Sequence, residues 1–95
     1  MIDIKQIQYF IACLENGSFS AAAESLFTTQ SNVSKAIKAL EEELGLKLFE
    51  RYPRGVSLTL NGERVYKYAV RIQNTMDEIM QIKQVFSVEE LKKGE

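Results

Sequence analysis

The sequence predicts a mainly α-helical fold: three short helices, a β-hairpin, then one long final helix. Three observations carry that expectation. Residues 30–44 (QSNVSKAIKALEEEL) set Val33, Ile37, Leu40 and Leu44 at the four-three-four spacing of a helix with one apolar stripe. Residues 46–60 alternate Leu46, Leu48, Val56, Leu58 and Leu60 around a Tyr52-Pro53-Arg54-Gly55 turn, as a hairpin does. From Asn61 onward the helical period returns and lasts for roughly seven turns.

The 95 residues are one domain's worth, and at 45% hydrophobic and 26% charged they show no sign of disorder. The apolar runs are far too short to span a membrane, and the N-terminus lacks a signal peptide's basic start and apolar stretch. A cytoplasmic protein with no membrane partner is expected. Cys13 is the single cysteine and there is no histidine, so an internal disulfide, a protein zinc site and histidine-based catalysis are all unsupported. No metal or cofactor is expected, and Cys13 reads as a small packed hydrophobe rather than a redox sensor. A net charge of −1 argues, as a total, against a nucleic-acid partner. Screening confines a charge's influence to roughly 8 Å at physiological salt, however, so local clusters decide.

In the first predicted helix Ile4, Ile7, Phe10, Ile11 and Leu14 make the apolar face, Asp3 is the N-cap, and Asn16-Gly17 is the stop. Ser18 caps the second, where Phe19, Ala22, Ala23 and Leu26 trace a narrow stripe and the alanine run admits a close neighbour. Thr28 or Thr29 caps the third. Its polar face carries Ser31, Ser34, Lys35 and Lys38: small hydroxyls beside amines, with no bulky side chain to hold the helix off a groove floor. Glu41, Glu42 and Glu43 follow and read as a solvated face, so contact with a polyanion should end near Lys38. Two helices about 19–38 joined by a short polar turn are a helix-turn-helix, and the hairpin about 46–60, with Arg51 and Arg54 at or beside its tip, is a wing. Guanidinium groups on a protruding loop suit phosphates or a narrow minor groove.

The long helix repeats Val65, Ala69, Ile72, Met76, Ile79 and Phe86 at alternating four and three, interrupted by Lys83. That seam is more than a small winged domain can cover, and a second copy of the same helix is its simplest partner. The expected organisation is therefore a winged helix-turn-helix over 1–60, a linker and dimerisation helix over 61–87, and a frayed tail or start of a linker over 88–95.

The string TTQSNVSKAIKALEEELGLKLFERYPRGVSLTLNGE resembles the N-terminal DNA-binding domain of LysR-type transcriptional regulators. GSFSAAAESL at 17–26, VSKAIKALEEELGLKLFER at 33–51, LTLNGE at 58–63 and the opening IKQIQYFIA carry the resemblance. It implies a homodimer built on antiparallel linker helices, binding double-stranded promoter DNA of interrupted dyad symmetry. It further implies that Gln30, Ser31, Asn32, Ser34, Lys35 and Lys38 face the major groove or its flanking phosphates. Ser20, Thr29 and Arg51 fall where the family often holds the DNA backbone, and Arg54 falls on the wing. The chain departs from the family at Ser31 and Asn32, where proline and a small residue are frequent, and at Lys35 and Lys38, where arginine is common. Lysine offers a point charge to phosphate where arginine offers a bidentate fork to guanine. Such regulators usually continue into a two-lobed effector-binding domain, so a small-molecule effector is expected only if that domain exists. The end just past the long helix reads as a cut.

The competing expectation is a helical protein–protein interaction module that no longer binds DNA, supported by the negative net charge and the acidic cluster. An enzyme has little behind it: no phosphate-cradling glycine loop and no carboxylate pair in a recognisable pocket. Tyr9, Tyr52, Tyr66 and Tyr68 are too scattered to make a stacking platform for single strands.

Overall fold

In the computed structural model the chain runs α1 (Ile4–Asn16), α2 (Phe19–Ser25), α3 (Gln30–Leu44), β1 (Phe49–Tyr52), β2 (Gly55–Leu58) and α4 (Leu60–Lys93). The structure describes the backbone of residues 1–93 and the side chains of residues 1–83. Each of the first three helices starts on a side-chain cap that satisfies an otherwise orphaned N–H. Asp3 accepts from the Gln6 amide and Gln6 returns a bond to the Asp3 amide, a reciprocal capping box. Ser18 accepts from Ala21, and Thr29 accepts from Asn32. Gly17 (φ 80°) and Gly45 (φ 66°) end α1 and α3 in the left-handed region. The turn between α2 and α3 passes through Phe27, a left-handed non-glycine residue (φ 55°) whose ring is fully exposed.

The core is one cluster in which Ile7, Phe10 and Ile11 of α1 meet Ala22 and Ala23 of α2, and Val33, Ile37 and Leu40 of α3. Phe49 closes it from the wing, its ring centroid 5.2 Å from that of Phe10 and 5.7 Å from that of Phe19. The hairpin pairs Phe49 with Leu58, Arg51 with Val56, and Tyr52 with Gly55, leaving Pro53-Arg54 as a two-residue tip. Here the alternation expected over 46–60 needs correction. Leu48 is buried, but Leu46 is exposed and Leu60 is 75% exposed, and none of the three lies within a strand. Phe49, which the alternation passed over, is the inward residue of β1.

Two close approaches fix the wing. The Val56 N–H donates to the Gly17 carbonyl (3.0 Å), and a Cβ at Gly55 would stand 2.3 Å from that same oxygen. At the far end the Thr59 N–H donates to the Leu48 carbonyl (2.9 Å), where a Cβ at Gly62 would stand 2.1 Å away. Only glycine admits backbone this near. Thr59 also accepts from the Gly62 amide, so α4 begins at Leu60, one residue before the expected Asn61.

The α4 backbone continues through Lys93, past the expected boundary at 87 and into the segment expected to fray. Its apolar seam divides. Ala69 is 1% exposed in the domain's own core, and Val65 and Tyr66 pack against that core. Of the residues expected on the dimer seam, Ala69 is thus covered by its own chain and Val65 partly so, because α1 lies along the first turns of α4. Tyr68 beside them is exposed, as are Ile72, Ile79, Met80 and Ile82 further along, and Met76 is half-buried. Phe86 lies outside the residues whose side chains are described. Among the described residues no helix is long and apolar enough to cross a membrane.

Candidate nucleic-acid interface

The α3 stripe of Val33, Ile37 and Leu40 is buried to within 2% of full coverage, so the opposite face is necessarily outward. At 100° per residue that face is centred on Ser31, Lys35 and Lys38, all exposed. Gln30 and Ser34 lie on the flank toward the wing, and Asn32 on the flank toward α1.

The wing-side flank is a concave surface. Ser18, Phe19, Ser20, Gln30, Arg51, Arg54 and the wing tip line one cleft, and Ser34, Ile37, Lys38, Glu41, Lys47 and Arg51 line the next. Arg51 is common to both. It shares a face of β1 with Phe49, and its guanidinium carbon sits 4.4 Å from the Phe19 ring centroid. Stacking on an aromatic face leaves the planar fork's N–H donors free at their edges. Arg54, at the hairpin tip, is exposed. Six of the ten expected site residues (Ser20, Gln30, Ser34, Lys38, Arg51 and Arg54) therefore line this one concave surface.

Small hydrogen bonds hold the polar residues. Ser20 Oγ donates to Gln30 Oε1 at 3.0 Å, and Asn32 Nδ2 donates to Thr28 Oγ1 at 3.0 Å. Thr29 serves as the α3 cap through its hydroxyl oxygen. Asn32 and Lys35 line a separate groove with Asp3 and with Lys5, Gln6 and Tyr9 of α1, away from the wing.

Sequence reasoning missed two residues. Lys47 joins Lys38 and Arg51 in the second cleft, though its place in the chain, between two leucines of an expected strand, gave no such signal. Glu41 is not part of a solvated face. It is half-buried, and its Oε2 accepts from the Leu48 N–H (2.7 Å) and the Phe49 N–H (3.4 Å), tying α3 to the wing. Glu43 pairs with the Met1 ammonium. Two of the three glutamates thus face partners within the fold. Among the described residues, none of Lys35, Lys38, Lys47, Arg51 and Arg54 is ion-paired. Beneath the surface Cys13 is fully buried, and burial pushes its thiol up to about 12 against a smaller downward pull from Arg51.

Comparison with known proteins agrees with this arrangement. A family model described as "Bacterial regulatory helix-turn-helix protein, lysR family" matches residues 4–63. The HTH-type transcriptional regulator BenM of Acinetobacter baylyi is 37% identical over 89 residues, covering 93% of this chain and 29% of that protein. The SDS degradation transcriptional activation protein of a Pseudomonas species is 43% identical over 72 residues, covering 76% and 24%. The chain thus spans less than a third of the length of these relatives. Among solved structures, a crystalline CbnR_DBD–DNA complex superimposes with a TM-score of 0.79 at 33% identity, covering 90% of this chain and 98% of that one. A BenM_DBD/benA site 1 DNA complex gives 0.79 at 35% identity, covering 86% and 95%. With its two glycine-closed helices, capped third helix and pinned wing, the chain belongs to the LysR family of bacterial helix-turn-helix regulators, a family of regulators and not of enzymes.

Proposed function

We propose that this chain is the sequence-reading domain of a LysR-type transcriptional regulator, binding duplex DNA with α3 in the major groove and the wing on the minor groove or backbone. One observation carries this: a chain of net charge −1 gathers Lys38, Lys47, Arg51 and Arg54 around one concavity, with no ion pair to a described residue. Cations left unpaired beside a helix of small polar residues suit a ladder of phosphates flanking a groove about 12 Å wide. Gln30, Ser31 and Ser34 are placed to meet base edges, with Lys35, Lys38, Arg51 and Arg54 on phosphates or the minor groove. Thr29 and Asn32 border the contact. That similar DNA-binding domains have been solved as DNA complexes supports DNA as the partner.

The working unit is a homodimer on a dyad-symmetric promoter site in the cytoplasm. The exposed stretch of α4 carries Tyr68, Ile72, Ile79 and Ile82 on one stripe, flanked by Met76 and Met80. A second copy of that stripe covers it, setting two α3 helices at half-sites spaced about one turn (10–10.5 bp) or a multiple apart. A small-molecule effector is part of this proposal only where a further domain accompanies the chain.

Titration of duplex at several salt concentrations tests the DNA reading. Lys38→Ala or Arg54→Ala should weaken all sequences alike and flatten the log–log salt slope by about one unit. An unchanged slope for both variants removes them from the contact. A chain that retards no duplex even at low salt is instead the protein-binding module.

A further inference from the structure

We propose that Ser20 serves base discrimination through Gln30, as a positioning residue, and does not itself hold the DNA backbone. The inference rests on the DNA-reading role above. A serine hydroxyl has one proton to donate. In the structure that proton goes to Gln30 Oε1 at 3.0 Å, across from α2 to α3. What remains on Ser20 Oγ is lone pairs, which a phosphate oxygen cannot use. The resemblance to the family had put Ser20 on the backbone; its hydrogen bond points elsewhere.

The gain is order at the entrance to α3. Gln30 is the first residue of the helix, its backbone set by the Thr29 cap. Its side chain is exposed and has three rotatable bonds, whose freezing on binding costs entropy. The bond from Ser20 holds the amide in one orientation at the edge of the cleft that Arg51 and Arg54 line. With one lone pair of Oε1 taken by Ser20, both Nε2 donors remain free for a base. A glutamine free at both ends pairs with adenine through N6 and N7; one that leads with its donors favours guanine O6 and N7 or thymine O4, and disfavours the cytosine amino group.

The experiment selects duplexes from a randomised library with the intact chain and its Ser20→Ala, Ser20→Thr, Gln30→Ala and doubly substituted variants, then titrates single-base variants of the selected site. Ser20→Ala should lower discrimination at one base pair per half-site roughly ten-fold. Gln30→Ala should lose preference at that same base pair, the double variant should be no worse than Gln30→Ala, and Ser20→Thr should restore it. Uniform weakening on every sequence, additive with Gln30→Ala, overturns the inference and returns Ser20 to the backbone. A second arm needs no DNA: in the free protein, NMR relaxation of the Gln30 Nε2 group should show lower order in Ser20→Ala and unchanged order in Ser20→Thr. Equal order in all three chains overturns the inference even if DNA binds. Ordered Nε2 in a chain that binds no duplex overturns the DNA reading instead.

Discussion

Helices α3 and α4 carry the same kind of apolar repeat and meet opposite fates. In α3 the stripe of Val33, Ile37 and Leu40 is covered completely by its own domain. In α4 the stripe starts covered, with Ala69 1% exposed, and ends bare, with Ile79 58% exposed. Hydrophobicity does not separate them; length does. At 1.5 Å per residue α3 is roughly 22 Å long and α4 roughly 50 Å. The molecule measures 58 × 25 × 20 Å, so α3 fits within its short dimensions and α4 sets the long one. A repeat in sequence states that a face needs covering, and geometry states by what.

The largest expected effect breaks the comparison inside α4 itself. Ala69→Asp would bury a carboxylate without a partner against α1 and cost about 3–5 kcal/mol, enough to unfold much of a small domain. Ile79→Asp, ten residues on, should leave thermal stability of the monomeric domain within about 0.5 kcal/mol. It should instead give a folded monomer in sedimentation, with much weaker operator affinity. A wild-type chain that sediments as a monomer at high micromolar concentration contradicts the α4 seam outright.

A smaller effect sharpens the α3 side. Glu41→Ala removes the acceptor for the Leu48 and Phe49 amides and should cost about 1–3 kcal/mol in urea unfolding. Glu42→Ala, at an exposed position, should change stability by less than about 0.5 kcal/mol. Equal effects would mean that the contact between α3 and the wing is not what holds the hairpin.

The smallest effect concerns Cys13 on the buried face of α1. The unfolded thiol ionises near its ordinary 9.0, whereas the folded one keeps its proton to about 12. Between these values the native state binds more protons than the unfolded state, so stability from this group is intact below pH 9 and falls as pH rises. The loss should reach about 1.4 kcal/mol by pH 10 and be absent in Cys13→Ala. Slow alkylation of the native chain by a thiol reagent would accompany it.

The legible parts were those in which a residue type answers a local need. Asp3, Ser18 and Thr29 cap because their short side chains reach back to free amides, and Gly17 and Gly45 stop helices because each must turn left-handed. The wing was legible as a hairpin but not in its details. Alternation counts inward residues only where strands persist, and these strands are four residues each: Leu46, Leu48 and Leu60 all fell outside, and adjacent Leu48 and Phe49 both entered the core. At the candidate site, side-chain type and helix face picked out Ser31, Ser34, Lys35 and Lys38 as the outward polar face, and the family resemblance alone added Gln30. Neither could show that Lys47 lies beside Lys38 and Arg51, or that Glu41 turns inward.

By itself, then, the amino-acid order determined the succession of helices and hairpin, the outward polar face of α3 and the family to which the chain belongs. The first two follow from near-neighbour rules of capping, periodicity and turn chemistry, and the family from the likeness of whole phrases such as VSKAIKALEEELGLKLFER. Only the tertiary structure decided that Ala69 is buried in the domain's own core while Ile79 lies exposed on the same helix, and that Arg51, stacked on Phe19, borders two clefts at once. Those outcomes depend on contacts between residues far apart in the chain, whose distances no local pattern encodes.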